Sequence, residues 1–293
     1  MDADHQPEAS TAGAAPRSSA RGTPWSWKKW RWLAWLAGGY LAIVVLMMAL
    51  EDSFIFFPIG YEEDWLSAGL EHEDAWFTAA DGTKLHGWYV PHENPRATVL
   101  FAHGNAGNLS HRAGMLDILH DRVGVSVLIF DYRGYGRSEG KPNEEGVLAD
   151  ARAARAWLAE REKIAEEDMV LMGRSLGGAV VVDLAAEKGA RALVLESTFS
   201  SMPDVAAYHY PWLPVRWVMR TRLNAAEKIP ACHGPLLQSH GTADTIVPER
   251  FGRRLFEAAN EPKRWGPLPG LNHNDPQPPW YYDELAEFIE GLD

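Results

Sequence analysis

Basic residues are scarce in this 293-residue chain and cysteine is almost absent. Lys and Arg number 28 against 40 Asp and Glu, giving a formal net charge of −12. With no basic stripe to neutralise phosphates, the composition excludes nucleic acid as a partner. Cys232 is the single cysteine, so no intrachain disulfide can form. No H-E-x-x-H pair offers a start to a metal site, and no metal is expected. Between Arg31 and Lys84 the chain has no Lys or Arg at all. That gap coincides with the longest uncharged apolar run.

The run extends over residues 33–50, long enough at ~1.5 Å per residue to cross most of a ~30 Å hydrocarbon layer. Trp25, Trp27, Lys28, Lys29, Trp30, Arg31 and Trp32 precede it, and Glu51 and Asp52 close it. Tryptophans with basic residues at one end make an interfacial belt, and the one-sided Lys/Arg excess sets orientation. A single-pass membrane anchor over 25–52 is expected, uncleaved, with the N-terminus cytoplasmic and the rest of the chain outside the cytoplasm. A cleavable signal peptide is disfavoured because the run starts late and no small-x-small site follows it. Residues 1–24 are rich in Ala, Ser, Pro and Gly with almost no large apolar side chains, and are expected to be a disordered tail.

Residues 53–293 read as one globular domain. Segments 75–78 and 84–90 flank Asp81-Gly82 and predict an antiparallel hairpin. Thereafter strands alternate with helices: strands over 97–102, 125–130, 169–172, 192–195 and 236–239, and helices over 109–120, 144–164, 249–259 and 282–289. Buried apolar strands alternating with helices imply an α/β fold with a mostly parallel sheet flanked by helices. In such sheets ligands bind beyond the carboxyl ends of the strands, which directs attention to the residues after each one.

Gly173-Arg174-Ser175-Leu176-Gly177-Gly178 follows one such strand and opens the apolar helical run from Ala179. Strand, G-x-S-x-G, helix is the pattern of a nucleophile elbow, which holds the Ser175 hydroxyl above the sheet. His103-Gly104-Asn105-Ala106-Gly107-Asn108 follows another strand. It lacks both the Lys-Ser/Thr ending of a P-loop and the G-x-G-x-x-G spacing. The amides of Asn105 and Leu176 are instead expected to form an oxyanion hole. In this arrangement an acid and then a histidine follow the nucleophile. Asp244, after strand 236–239, is the candidate acid, with Glu196 as its rival. His273, in a turn-rich loop before the last helix, is the candidate base. His103 and His240 read as loop-bonding residues, and Asp131 and Arg133 as ties between neighbouring loops. Asn108-Leu109-Ser110 matches a glycosylation sequon beside the oxyanion loop and reads as coincidence.

These motifs, with Asp131-Tyr132-Arg133-Gly134-Tyr135-Gly136 and Glu196-Ser197-Thr198-Phe199, together resemble the α/β-hydrolase superfamily. Within it the chain is similar to the membrane-anchored branch typified by the yeast Bem46-like proteins. The resemblance implies Ser175 as nucleophile, Asp244 as acid, His273 as base and the amides of Asn105 and Leu176 as oxyanion donors. One departure is that Leu271 and Asn272 precede His273 where the family usually has glycines. Residues 199–230, rich in Tyr208, His209, Tyr210, Trp212, Trp217 and Met219, are expected to form a short cap that walls an acyl pocket. The implied activity is serine-dependent cleavage of a small-molecule or lipid ester or thioester, without metal or organic cofactor. A peptidase of the same fold and a catalytically silent, membrane-tethered binding module are the alternatives.

Overall fold

In the computed structural model the described residues are Met1, Gly13, 27–66 and 69–292. Apart from Met1 and Gly13, the expected disordered tail lies outside them. Residues 1–45 and 46–293 form separate compact units. The helix α1, Trp27–Ala49, begins in the first. Its stretch Trp30–Ala49 is 20 residues of apolar helix, about 30 Å at ~1.5 Å per residue. Trp35, Leu36 and Leu41 are exposed along it. A helix apolar on every side suits a lipid environment better than water.

The second unit is built on an eight-stranded sheet. Its strands are β1 (Glu73–Thr78), β2 (Lys84–Val90), β3 (Thr98–Ala102), β4 (Ser126–Phe130), β5 (Val170–Arg174), β6 (Ala192–Glu196), β7 (Leu236–Gly241) and β8 (Lys263–Leu268). The spatial order is β1-β2-β4-β3-β5-β6-β7-β8. The pairings β1·β2 and β2·β4 are antiparallel and the remaining ones parallel. The chain passes from β3 to β4 on one side and crosses back to β5 on the other. Such a reversal opens a crevice at the carboxyl ends of β3 and β5.

Alternation along the strands sorts the core into two layers. Leu100, Leu128, Phe130 and Leu171 face α4 (Glu144–Glu162) and α5 (Leu176–Lys188). Val99, Phe101, Val127, Ile129 and Met172 face α3 (Ala113–Ile118) and the helix Pro279–Glu290. Each fully buried side chain of this size contributes about 1.5–3 kcal/mol. Near one end of the sheet, buried Asp150 of α4 accepts from the Arg133 guanidinium at 2.7 Å and from its backbone amide at 2.8 Å. The Asp131 carboxylate accepts the Leu109 amide at 2.8 Å, so both residues do tie loops together.

The expected hairpin, strands and helices are present, with ends that shift by a few residues. One strand escapes the sequence. β8 contains Gly266 and Pro267, which interrupt a strand pattern, yet it lies at the sheet edge, where a missing N–H costs no ladder bond. A second difference concerns Glu51, which reads as the polar stop of the apolar run. It begins α2 (Glu51–Ile55) and is buried, its carboxylate accepting the amides of Arg220 at 3.0 Å and Thr221 at 2.6 Å.

The cap region holds α6 (Met202–His209), α7 (Val215–Val218) and α8 (Ala225–Lys228). Its aromatic residues depart from the expected pocket wall, because Tyr208, Tyr210, Trp212 and Trp217 are exposed. Helices this short make a single layer. One side, through Pro203, Val205 and Leu213, packs inward, and the aromatic rings lie on the exposed side.

Candidate active site

Three strand ends converge over the crevice. Ser175 sits between β5 and α5 with φ 53° and ψ −117°, a backbone conformation that side chains rarely adopt. Crowding forces it. A Cβ on Gly177 would stand 1.9 Å from the Ala102 carbonyl oxygen, and one on Gly173 would stand 2.4 Å from the Gly177 carbonyl oxygen. Only glycine permits strand and helix to pass this closely. The turn is further held by the Ser175 amide donating to the Glu196 carbonyl at 2.9 Å and by Thr198 Oγ1 donating to the Ser175 carbonyl at 2.7 Å.

The structure brings His273 and Asp244 to this serine from 98 and 69 residues farther along the chain. His273 Nδ1 donates to Asp244 Oδ2 at 2.7 Å, which leaves Nε2 to accept from the Ser175 hydroxyl at 3.0 Å. All three side chains are buried. The other Asp244 oxygen accepts the amides of Ile246 at 3.0 Å and Val247 at 2.7 Å. Burial acts to raise the Asp244 pKa, but the hydrogen bonds from His240 and His273, the His273 charge and the Val247 amide outweigh it. The carboxyl is held well below its ordinary 3.8. A carboxylate that stays ionised fixes the imidazole tautomer and stabilises a positive charge on it.

Asn105 lies in a bend after β3. Among the described residues its amide donates no hydrogen bond, while its side chain donates to the Ile55 carbonyl at 2.7 Å and its carbonyl accepts from Phe57 N at 3.0 Å and the Tyr135 hydroxyl at 2.8 Å. Leu176 is the first residue of α5, so its amide has no carbonyl one turn earlier to bond. The Asn105 loop lies beside the elbow, since a Cβ on the preceding Gly104 would stand 3.6 Å from Ser175 Cβ.

Glu196, the rival acid, ends β6 fully buried and makes no hydrogen bond to His273. His103 and His240 bond loop carbonyls, of Gly104 at 2.7 Å and of Val247 at 2.8 Å. Asn108 is buried and its side chain is committed to Ile59, Asp64 and Ser110, leaving no access for a glycan.

Two supporting features went unseen in the sequence. Arg174 donates to the His273 carbonyl at 2.7 Å and so tethers the loop carrying His273. Asn272, the departure from the glycine pattern, uses its Oδ1 to accept the amides of His273 at 2.7 Å and Thr245 at 3.0 Å. A side-chain amide thereby fastens the base loop to the acid loop. The only signal for it was an Asn, a turn-forming residue, directly before the histidine. The pairing of Phe57 and Pro58 with Ala106 and Gly107 is likewise invisible in sequence, since neither segment is long enough to show periodicity.

A family model described as serine aminopeptidase, S33, matches residues 93–224. The α/β hydrolase domain-containing protein WAV2 of Arabidopsis thaliana is 32% identical over 245 residues, covering 76% of this chain and 80% of that protein. The membrane protein YNL320W of Saccharomyces cerevisiae is 33% identical over 230 residues, covering 76% of this chain and 81% of its own length. Among solved structures, the Pyrococcus furiosus esterase Pf2001 superimposes with a TM-score of 0.66 at 21% identity, covering 80% of this chain and 99% of that one.

Proposed function

We propose, from the premise that this chain belongs to the α/β-hydrolase superfamily, that it is a serine hydrolase cleaving carboxylic esters or thioesters through an acyl-enzyme. The observation that carries this reading is the hydrogen-bonded chain from Asp244 through His273 to Ser175 Oγ. In the first half-reaction Ser175 Oγ attacks the carbonyl carbon while His273 Nε2 takes its proton. The amides of Asn105 and Leu176 supply hydrogen bonds to the oxyanion that forms. His273 then returns the proton to the leaving alcohol or thiol. In the second half, water attacks the acyl-serine with His273 again as base, and the acid product departs.

The test is labelling with a fluorophosphonate probe. Wild-type protein is expected to label and Ser175→Ala to remain unlabelled; equal signal from both removes Ser175 as nucleophile, and no signal from either leaves the silent binding module. A panel of p-nitrophenyl esters of rising chain length then ranks substrates. A peptide amide belongs in the same panel because the matched family model is described as an aminopeptidase.

We further propose that α1 anchors the protein in a membrane with its basic, N-terminal flank in the cytoplasm and residues 53–293 outside. A membrane relative and the length of α1 support the anchor. Alkaline phosphatase fused after Glu63 in a bacterial host reads the orientation, and an expressed but inactive fusion contradicts it.

A further inference from the structure

Residues 46–59, which lead from α1 into the catalytic body, are hydrogen-bonded to both the cap and the oxyanion loop. Glu51 holds the amides of Arg220 and Thr221, and the Arg220 guanidinium donates to the Met48 carbonyl at 3.3 Å. A few residues on, the Ile55 carbonyl accepts from the Asn105 side chain, and Phe57 and Pro58 pair in parallel with Ala106 and Gly107. The chain therefore leaves its apolar helix and reaches the loop beside Ser175 within about ten residues. The last turn of α1 and the lead-in thus lie against the cap and the loop that carries Asn105.

Exposed apolar side chains gather on the cap and the lead-in. Trp217 is 86% exposed, Trp212 55%, Phe57 50% and Phe54 46%, with Ile246 beside the acid loop at 45%. An open groove of about 660 Å³ lies beside the lead-in, lined by Leu50, Phe57, Pro58 and Ala106 together with Asp52 and Lys141. Soluble proteins rarely leave apolar surface gathered in this way. The cap stretch 202–223 carries Arg216, Arg220 and Arg222. Arg216 pairs with Asp204 and Arg220 with Glu51, while the Arg222 guanidinium bonds only the Arg216 carbonyl among the described residues. Tryptophan, tyrosine and arginine together are the composition of a surface that settles at the headgroup level of a bilayer.

We propose that the cap and the lead-in form a lipid-contacting rim, so that the mouth above Ser175 opens onto the bilayer in which α1 is anchored and receives its acyl substrate from that bilayer. The proposal rests on the anchor and hydrolase readings above. The exposed rings enter the interface, the arginines meet anionic headgroups, and the groove beside Ala106 and Gly107 takes the apolar end of an acyl ester.

The test uses the full chain reconstituted in phosphatidylcholine vesicles, with or without phosphatidylglycerol, containing doxyl-labelled lipid. Trp217→Cys and Phe57→Cys carry a thiol-reactive fluorophore on the rim. Glu93→Cys carries it on the exposed loop between β2 and β3, at the opposite end of the sheet. Cys232 is buried and its thiol is pushed up to about 11, so it does not compete for label. Quenching at 217 and 57 is expected to exceed that at 93 by roughly fivefold. The Arg220→Gln, Arg222→Gln pair is expected to lower the phosphatidylglycerol dependence by roughly fivefold for each charge removed. Equal quenching at the three sites in protein that resists carbonate extraction overturns the rim while the anchor stands. Extraction by carbonate overturns the anchor and the rim with it. Fluorophosphonate labelling of Ser175 in the same vesicles reports separately on the hydrolase reading and on folding of each variant.

Discussion

At the elbow Gly177 has no room for a methyl group, 1.9 Å being all that would separate a Cβ from the Ala102 carbonyl, whereas on the cap Trp217 has 86% of its surface uncovered. The two regions are built by opposite means. The floor is placed by backbone crowding and by the hydrogen-bonded chain through Asp244, His273 and Ser175. The rim is placed by short helices and a lead-in that leave large rings outside. The floor thus tolerates almost no change in volume, and the rim is free to vary so long as its apolar and basic character persists.

Substitutions can break or sharpen that contrast. The largest effect is expected at the nucleophile: Ser175→Ala should lower kcat by on the order of 10⁶ with an unchanged melting temperature, measured on a p-nitrophenyl ester. Asp244→Asn should lower kcat by about 10⁴, because the imidazole loses the partner that fixes its tautomer. The same variant tests the charge. Since the folded-state pKa of Asp244 is depressed below 3.8, its contribution to stability is complete above that value and is lost as pH falls through the folded pKa. Thermal melts should therefore show a constant gap between wild type and Asp244→Asn above about pH 5 that narrows in stronger acid. A gap that widens in acid would contradict the assigned sign.

Asp150→Ala lies in the floor's support, away from the chemistry. It leaves the Arg133 guanidinium half-paired, with only Asp81 remaining at 2.7 Å, and should cost about 3 kcal/mol by urea titration. Asn272→Ala should reduce kcat by roughly tenfold and leave stability within about 1 kcal/mol, since it frees the base loop from two directed hydrogen bonds. At the small end, Trp217→Ser should alter stability by less than about 0.5 kcal/mol. A loss as large as that of Asp150→Ala would show that the rim is part of the fold after all.

The strand ends were legible because their chemistry is local. Gly173 and Gly177 announce a tight strand-to-helix turn whatever surrounds them, and the buried strands advertise themselves as apolar runs. β8 was hidden because Pro267 and Gly266 carry the wrong local preference, and only a position at the sheet edge makes them acceptable. Glu51 was misleading for a related reason. A carboxylate after an apolar run reads as a return to water, and nothing in its neighbours tells that two amides 169 and 170 residues away will take it inside.

By itself the sequence determined the alternation of elements, the presence of a tight turn at residue 175 and the candidates for acid and base, since each is written in a local pattern of residue types. Only the tertiary structure decided that Asp244 and not Glu196 meets His273, that Asn272 stands in for glycine, and that the cap's aromatic rings face outward. Those outcomes depend on which loops the sheet order brings side by side and on how thin a layer three short helices make, and neither quantity is encoded within any single stretch of residues.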